Sequence, residues 1–175
     1  SGTTSVATIS SSTVTIVGAG TSTITATFTP TETGRYSSQT ITMLLTVNKK
    51  AITITAVDKT KVYAQSTPTN SFTNSTLVGS DAISSLTYTY SGTNSTSAPT
   101  TVGNYTITPS SASFSTGSIN NYTITYVPAA YSITKATPAF TGFNNVSKTY
   151  GDSSFTITAP TVTGSVSGAF TYASS

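Results

Sequence analysis

The chain has 175 residues and a net charge of +3, and only 6% of its residues are charged, against about 25% in an ordinary soluble domain. It has no Cys, which excludes disulfides and zinc–thiolate sites, and no His, which removes the usual acid–base group near neutral pH. Its basic residues form no stripe and no apolar run approaches the ~18 residues of a membrane span, so we expect neither nucleic-acid binding nor membrane insertion.

The four acidic residues, Glu32, Asp58, Asp81 and Asp152, are far apart in the sequence. A glycosidase-type pair needs two carboxyl groups about 5 to 9 Å apart, and a calcium site needs several clustered oxygen ligands. No two of these acids share a motif, and Gly151-Asp152-Ser153 has the composition of a turn. We therefore expect no enzymatic activity, no metal site and no cofactor.

Residues 1–49 alternate apolar with hydroxyl-bearing side chains in short runs, which predicts half-buried strands. Gly18 and Gly20 interrupt the alternation and indicate a turn, because glycine reaches positive φ at little cost. About four strands are too few to close a sandwich, so we interpret this segment as the C-terminal half of a module. The predicted strands are 6–10, 13–17, 21–28 and 40–47.

Two motifs in this segment carry a family resemblance. Val6-Ala7-Thr8-Ile9, followed by VTIVGAGTSTITA from Val14 to Ala26, resembles the C-terminal part of a bacterial Ig-like domain of the group 2 type. The resemblance covers residues 5–27. It implies an all-β module of extracellular tandem arrays, with no catalytic role.

Residues 50–135 contain enough alternating runs for a complete β module. Residues 80–85 interrupt them, and we expect one helical turn there because Ser80 or Asp81 could serve as an N-cap. The module is then either Ig-like or a small β-grasp-like sheet. The predicted strands are 51–57, 61–63, 86–90, 102–108, 122–127 and 131–134.

The order of motifs in this module resembles the MBG repeats of bacterial surface proteins. The first turn departs from the family pattern, since Tyr63-Ala64-Gln65 stands where the family often has Tyr-Gly-Asp. Later in the chain, Tyr150-Gly151-Asp152 fits that pattern. The resemblance implies a spacer or adhesive repeat. The residues that carry it are AITITA at 51–56, Lys61-Val62-Tyr63, VGNY at 102–105, NYTI at 121–124 and SITK at 132–135.

Residues 136–175 begin the pattern again, with strands predicted at 140–146 and 155–158 and another beginning at 168–172. Lys49 and Lys135 are 86 residues apart, and Lys61 and Lys148 are 87 apart. Residues 136–175 and 1–49 together make 89 residues, close to that period. We interpret 136–175 as the N-terminal half of an Ig-like module, completed by residues 1–49 of the next repeat or of another subunit through strand addition.

This organisation predicts two kinds of contact site. The seams between modules are Lys49, Lys50 and Ala51 at the first and Lys135, Ala136 and Thr137 at the second. The subunit or repeat junction is expected at Ser1, Gly2, Val6, Ile9, Phe170, Tyr172 and Ser175.

The sequence therefore predicts an all-β chain of tandem Ig-like β-sandwich modules, arranged linearly. We expect it to be a secreted or cell-surface structural repeat of a bacterial filament or stalk, whose partner is a neighbouring copy of itself. The alternative is an adhesin module that binds a glycan or host protein through its Ser, Thr and Tyr side chains. Reproducible binding on a glycan array would favour the adhesin, and its absence would favour the spacer.

Overall fold

The chain is all-β in a computed structural model, which describes residues 5–92, 95–164 and 166–174. Its strands are β1 (Ala7–Ser10), β2 (Thr13–Ile16), β3 (Gly20–Phe28), β4 (Gln39–Val47), β5 (Lys50–Ala56), β6 (Lys59–Val62), β7 (Phe72–Asn74), β8 (Ala82–Tyr90), β9 (Gly103–Thr116), β10 (Tyr122–Val127), β11 (Ala129–Thr134), β12 (Ala139–Thr141) and β13 (Thr161–Thr163).

The N-terminal segment, strands β1 to β4, consists of two antiparallel hairpins. β1 pairs with β2, and β3 pairs with β4 along its full length, from Gly20 opposite Val47 to Phe28 opposite Gln39. Gly20 begins β3 at φ +137°, a conformation that favours glycine. Each hairpin is a two-stranded sheet in the described residues.

The central module, strands β5 to β11, is built from two sheets in the orders β10-β5-β7 and β6-β11-β9-β8. Strands β5 and β6 form one almost continuous stretch that passes from the first sheet to the second, and β10 and β11 do the same beside it. The two stretches are parallel, and residues 122–127 and 131–134 each pair with the residue 72 positions earlier. One register therefore continues across both sheets.

The core of the central module joins the two sheets. Ala56 comes from the first sheet, and Tyr90, Ile107, Tyr131 and Ile133 come from the second. The rings of Tyr90 and Tyr131 meet edge to face with centroids 5.1 Å apart, a geometry that aromatic pairs prefer. Burial raises the pKa of Tyr131, and neighbouring Tyr90 raises it further. These contacts make β5 to β11 a β-sandwich.

The helical turn expected at residues 80–85 is wrong. β8 begins at Ala82 and pairs with β9, with three register shifts along the ladder. The single helical turn of the described residues is a 3-10 turn at Ile119–Asn121, where the Ser118 hydroxyl accepts a hydrogen bond from the Asn120 amide. A ladder to a distant strand outweighs the local capping preference of Ser80 and Asp81, because it satisfies several backbone groups together.

The C-terminal segment, residues 136–174, has less regular structure than the alternation predicts. Its strands β12 and β13 form one short antiparallel pair, with Phe140 opposite Val162. Residues 155–158 and 168–172 are not strands, which corrects both expectations. A strand needs a neighbour for its backbone groups, and these alternating runs have none in the described part of the chain.

Ala64 occupies a backbone position suited to glycine. Its φ is +69°. Gly151, which follows Tyr150 as Ala64 follows Tyr63, also has positive φ, at +97°. Because an L-residue pays about 1–2 kcal/mol in the left-handed region, we expect Ala64→Gly to raise the free energy of unfolding by up to about 1 kcal/mol. Ala51→Gly, in strand β5, is the matched control and should lower it by about 0.5–1 kcal/mol. Urea unfolding measures both, and destabilisation by Ala64→Gly would contradict the expectation.

Candidate functional site at the module seams

The first seam is short. Asn48 and Lys49 alone separate β4 from β5. Lys50 and Ala51 already belong to β5, where they pair with Tyr122 and Thr123 of β10. Their side chains are exposed. Two of the predicted seam residues are thus fixed by a backbone ladder.

A side chain of the central module contacts the N-terminal segment across this seam. The Asn121 side-chain oxygen accepts a hydrogen bond of 2.9 Å from the amide of Ala19. A Cβ at Gly18 would lie 2.7 Å from the Ser5 carbonyl oxygen and 2.9 Å from Asn121 Oδ1. Residue 18 must therefore be small for the two parts to approach. Sequence reasoning assigned Gly18 to a turn and overlooked this contact, because its partner lies 102 positions away.

A cleft of about 630 Å³ opens beside this contact. Val17 and Val47 line it from the N-terminal segment, and Lys50, Ser118 and Tyr122 line it from the central module. The cleft is lined by one cation, Lys50, one carboxylate, Asp81, and several hydroxyl, amide and apolar groups. It identifies the first seam as a surface made by both parts of the chain.

Asp58 holds the parallel ladder together where it changes sheets. Its Oδ1 accepts a 2.8 Å hydrogen bond from the amide of Ala130, 72 residues away. Pro128, one position before β11, has no amide hydrogen to give to the ladder. Two residues further on, the hydroxyls of Thr60 and Ser132 are 2.9 Å apart. The Asp58 side chain thus bridges the two stretches where backbone pairing is interrupted, and the Thr60–Ser132 contact lies where pairing has resumed.

A second carboxylate fixes the edge of the module near the first seam. The Tyr122 hydroxyl donates a 2.6 Å hydrogen bond to Asp81 Oδ2 and accepts a 3.0 Å bond from the Val78 amide. Burial raises the pKa of Tyr122, and the hydrogen bond to Asp81 raises it further. Gly117, at φ +82°, leaves the room that the Asp81 carboxylate fills.

The other two acids also have local roles. Glu32 lies 3.7 Å from Arg35 in an exposed ion pair, and Asp152 Oδ2 accepts a 2.9 Å hydrogen bond from the Thr149 amide within its turn. No group of three or more acidic residues that could hold a metal occurs in the described ranges. Among these same residues, no helix is long and apolar enough to cross a membrane.

The second seam links β11 to β12. Lys135, Ala136 and Thr137 lie there with exposed side chains, followed by Pro138. This connection is longer than the first seam, and it too contains no glycine.

Strand pairing before each seam lysine is alike. In the N-terminal segment, Gly20 begins β3 and pairs with Val47, two residues before Lys49. In the central module, Gly103 begins β9 and pairs with Ile133, two residues before Lys135. Ile24 and Ile107, each four positions after its glycine, pair with Met43 and Ala129.

Strand pairing after each seam lysine is alike as well. Ile54, five residues after Lys49, pairs with Asn74 of β7. Phe140, five residues after Lys135, pairs with Val162 of β13. A similar antiparallel pair thus begins at the same distance after each lysine.

The predicted junction residues lie in two separate places. Val6 is buried beside β1, where its carbonyl accepts a 2.8 Å hydrogen bond from the Val17 amide, and Ile9 is partly exposed in β1. Phe170 and Tyr172 lie against Phe140 and Phe143, with ring centroids 5.6 and 6.2 Å apart. The junction at these residues stays a prediction. Ser1, Gly2 and Ser175 lie outside the described residues.

These features define an all-β sandwich module joined to further β structure on both sides. Residues 52–132 match the family model of the MBG domain (YGX type), and this match lies within the central module. Domains of this type are repeat domains associated with bacterial surface proteins. No curated protein and no solved structure matches the chain. The MBG resemblance predicted for residues 50–135 is confirmed, and the Ig-like resemblance of the flanking segments stays a prediction.

Proposed function

We propose that the chain is a structural repeat of a bacterial extracellular filament or cell-surface stalk, in which modules follow one another end to end. The observation that carries the proposal is the recurrence of strand pairing around the two seam lysines. Lys49 and Lys135 are each preceded by an antiparallel strand pair that begins at a glycine, β3–β4 or β9–β11. Each is followed by a short antiparallel pair, β5–β7 or β12–β13.

This recurrence supports a division into three parts. Residues 1–49 have the pairing of the second half of a module, and residues 136–175 have the pairing of the first half. Residues 50–135 contain both halves. A chain of such modules is a quasi-one-dimensional array, in which each module contacts only its neighbours. Such an array suits a spacer or fibre, and none of its contacts requires a reacting group.

Short seams support a stiff array. Asn48 and Lys49 leave little free chain between β4 and β5, and the Asn121 hydrogen bond to Ala19 ties the N-terminal segment to the central module. Flexible linkers are typically rich in glycine and serine, and neither seam contains glycine. A stalk of these modules is then expected to keep its direction from one module to the next.

Small-angle scattering of covalent tandems of two, three and four copies tests this role. A stiff stalk has a maximum dimension that grows in proportion to copy number, whereas a flexible chain grows with about the square root of its length. The matched control carries a Gly-Ser insertion after Lys49 and after Lys135 and should lose the proportional growth. A compact or coil-like particle from the unmodified tandem would overturn the proposal.

A further inference from the structure

Strand β4 has one occupied edge and one open edge. It pairs with β3 alone among the described residues, whereas its counterpart is the end of β10 followed by β11. There β10 pairs with β5, and β11 lies between β9 and β6. Three large apolar side chains of β4 are exposed: Ile41 at 74%, Leu44 at 67% and Met43 at 57%. An open edge with exposed apolar residues is a template for a further strand.

Strand β12 also lacks a neighbour on one side. It pairs with β13 alone among the described residues, whereas its counterpart β5 pairs with β7 on one side and β10 on the other. Phe140 of β12 is 55% exposed, although Ile54 at the same distance from its seam lysine is fully buried. Phe143 and Val146, further along, are 63% and 60% exposed. The segment therefore lacks the neighbour that buries β5.

The central module shows which strand fills each position. There the stretch after the seam lysine, β5 and β6, pairs in parallel with the stretch before the next one, β10 and β11. By the spacing from the seam lysines, this ladder joins the positions held by the open edge of β4 and by β12 with the non-strand residues 142–149 that follow it. They are thus complementary in direction, position and apolar character.

We propose that β4 of one copy binds residues 139–149 of a second copy of this chain as a parallel ladder, an inference that rests on the stalk role proposed above. The central pair Thr53 and Thr125 sets the register. Gln39 lies ten residues before Lys49, just as Thr125 lies ten residues before Lys135. Ala139 lies four residues after Lys135, just as Thr53 lies four residues after Lys49. Gln39 of one copy then lies opposite Ala139 of the other.

The composition of both edges agrees with this pairing. Proteins usually protect open edges with charged residues or proline. Residues 36–48 contain neither, and residues 139–149 contain one charged residue, Lys148. With a single charge between them, the two segments approach each other without repulsion, and their exposed apolar side chains gain a neighbour. The edges have the composition of paired strands, which identifies a further strand as their partner.

Cysteine crosslinking tests the register, since the chain has no Cys of its own. Gln39→Cys and Ala139→Cys chains are purified separately, mixed, and treated with a short bismaleimide. The expected product is a dimer at twice the 17.9 kDa chain mass. Thr46→Cys mixed with Ala139→Cys is the matched control, because seven residues of strand place the two thiols about 23 Å apart. The positive control is a single chain that carries both Thr53→Cys and Thr125→Cys. These two paired positions of the central module, the template pair, should crosslink within the chain.

The outcomes separate the contact from the stalk role. A dimer from the Gln39 mixture with little from the Thr46 mixture supports the ladder. Equal amounts of dimer from both mixtures would overturn the ladder. So would the absence of dimer from the Gln39 mixture while the template pair crosslinks. A crosslink within a single dilute Gln39→Cys/Ala139→Cys chain also overturns it, because the strand then comes from the same copy. Proportional growth of the tandems in scattering, without the crosslink, would leave the stalk role intact and remove only this contact.

Discussion

Gly117→Ala is expected to destabilise the central module by about 2–5 kcal/mol, from two causes that act together. Residue 117 has φ +82°, a conformation that costs an L-residue about 1–2 kcal/mol. The new Cβ would also overlap the Asp81 carboxylate. Moving Asp81 leaves the buried Tyr122 hydroxyl without its acceptor, at a cost of about 1–3 kcal/mol.

Gly79→Ala is the matched control for this variant. Gly79 also has positive φ, at +53°, but an added Cβ would meet nothing within 4 Å. Only the backbone term of about 1–2 kcal/mol then remains. Urea unfolding followed by tyrosine fluorescence measures both variants. Equal losses would mean that the Asp81–Tyr122 contact contributes nothing to stability.

Ile54→Ala is expected to lower the free energy of unfolding by about 2–5 kcal/mol, because it removes a fully buried side chain from the core. Phe140→Ala changes the corresponding position after the second seam lysine, where the ring is 55% exposed. An exposed substitution usually changes stability by less than about 0.5 kcal/mol. The pair is compared by urea unfolding of the isolated chain at low concentration.

The same pair also reports on association. If a second copy covers β12, Phe140→Ala should weaken that association while leaving the isolated chain as stable as before. Dilution series by analytical ultracentrifugation measure this effect. A large loss of stability in dilute Phe140→Ala would instead place that ring in the core of its own chain.

Local alternation predicted the strands that lie in regular hairpins. The run 21–28 became β3 (Gly20–Phe28) and the run 40–47 became β4 (Gln39–Val47), because each has a neighbour close in sequence. Alternation failed at 155–158, which has the same pattern but no neighbouring strand in the described residues. A periodic pattern indicates a face to be buried, and a partner decides whether the strand forms.

Long-range contacts could not be predicted from a single sequence. Asp58 has the sequence context of a turn residue, and its bond to Ala130 depends on a strand 72 positions later. β9 extends to Thr116 through Pro109 and a serine-rich stretch, because β8 pairs along it. The seam lysines were identifiable from spacing alone, since Lys49 and Lys135 end similar motifs.

The parallel ladder of the central module has a mechanical consequence. The chain enters this module at Lys50, the first residue of β5, and leaves it at Thr134, the last residue of β11. A pull applied through the two seams drags these parallel stretches in opposite directions along their length. Their hydrogen bonds then bear the load in shear and must break together, whereas a hairpin pulled at its open end unzips one bond at a time. The strand order thus makes the module resistant to tension along the axis of a stalk.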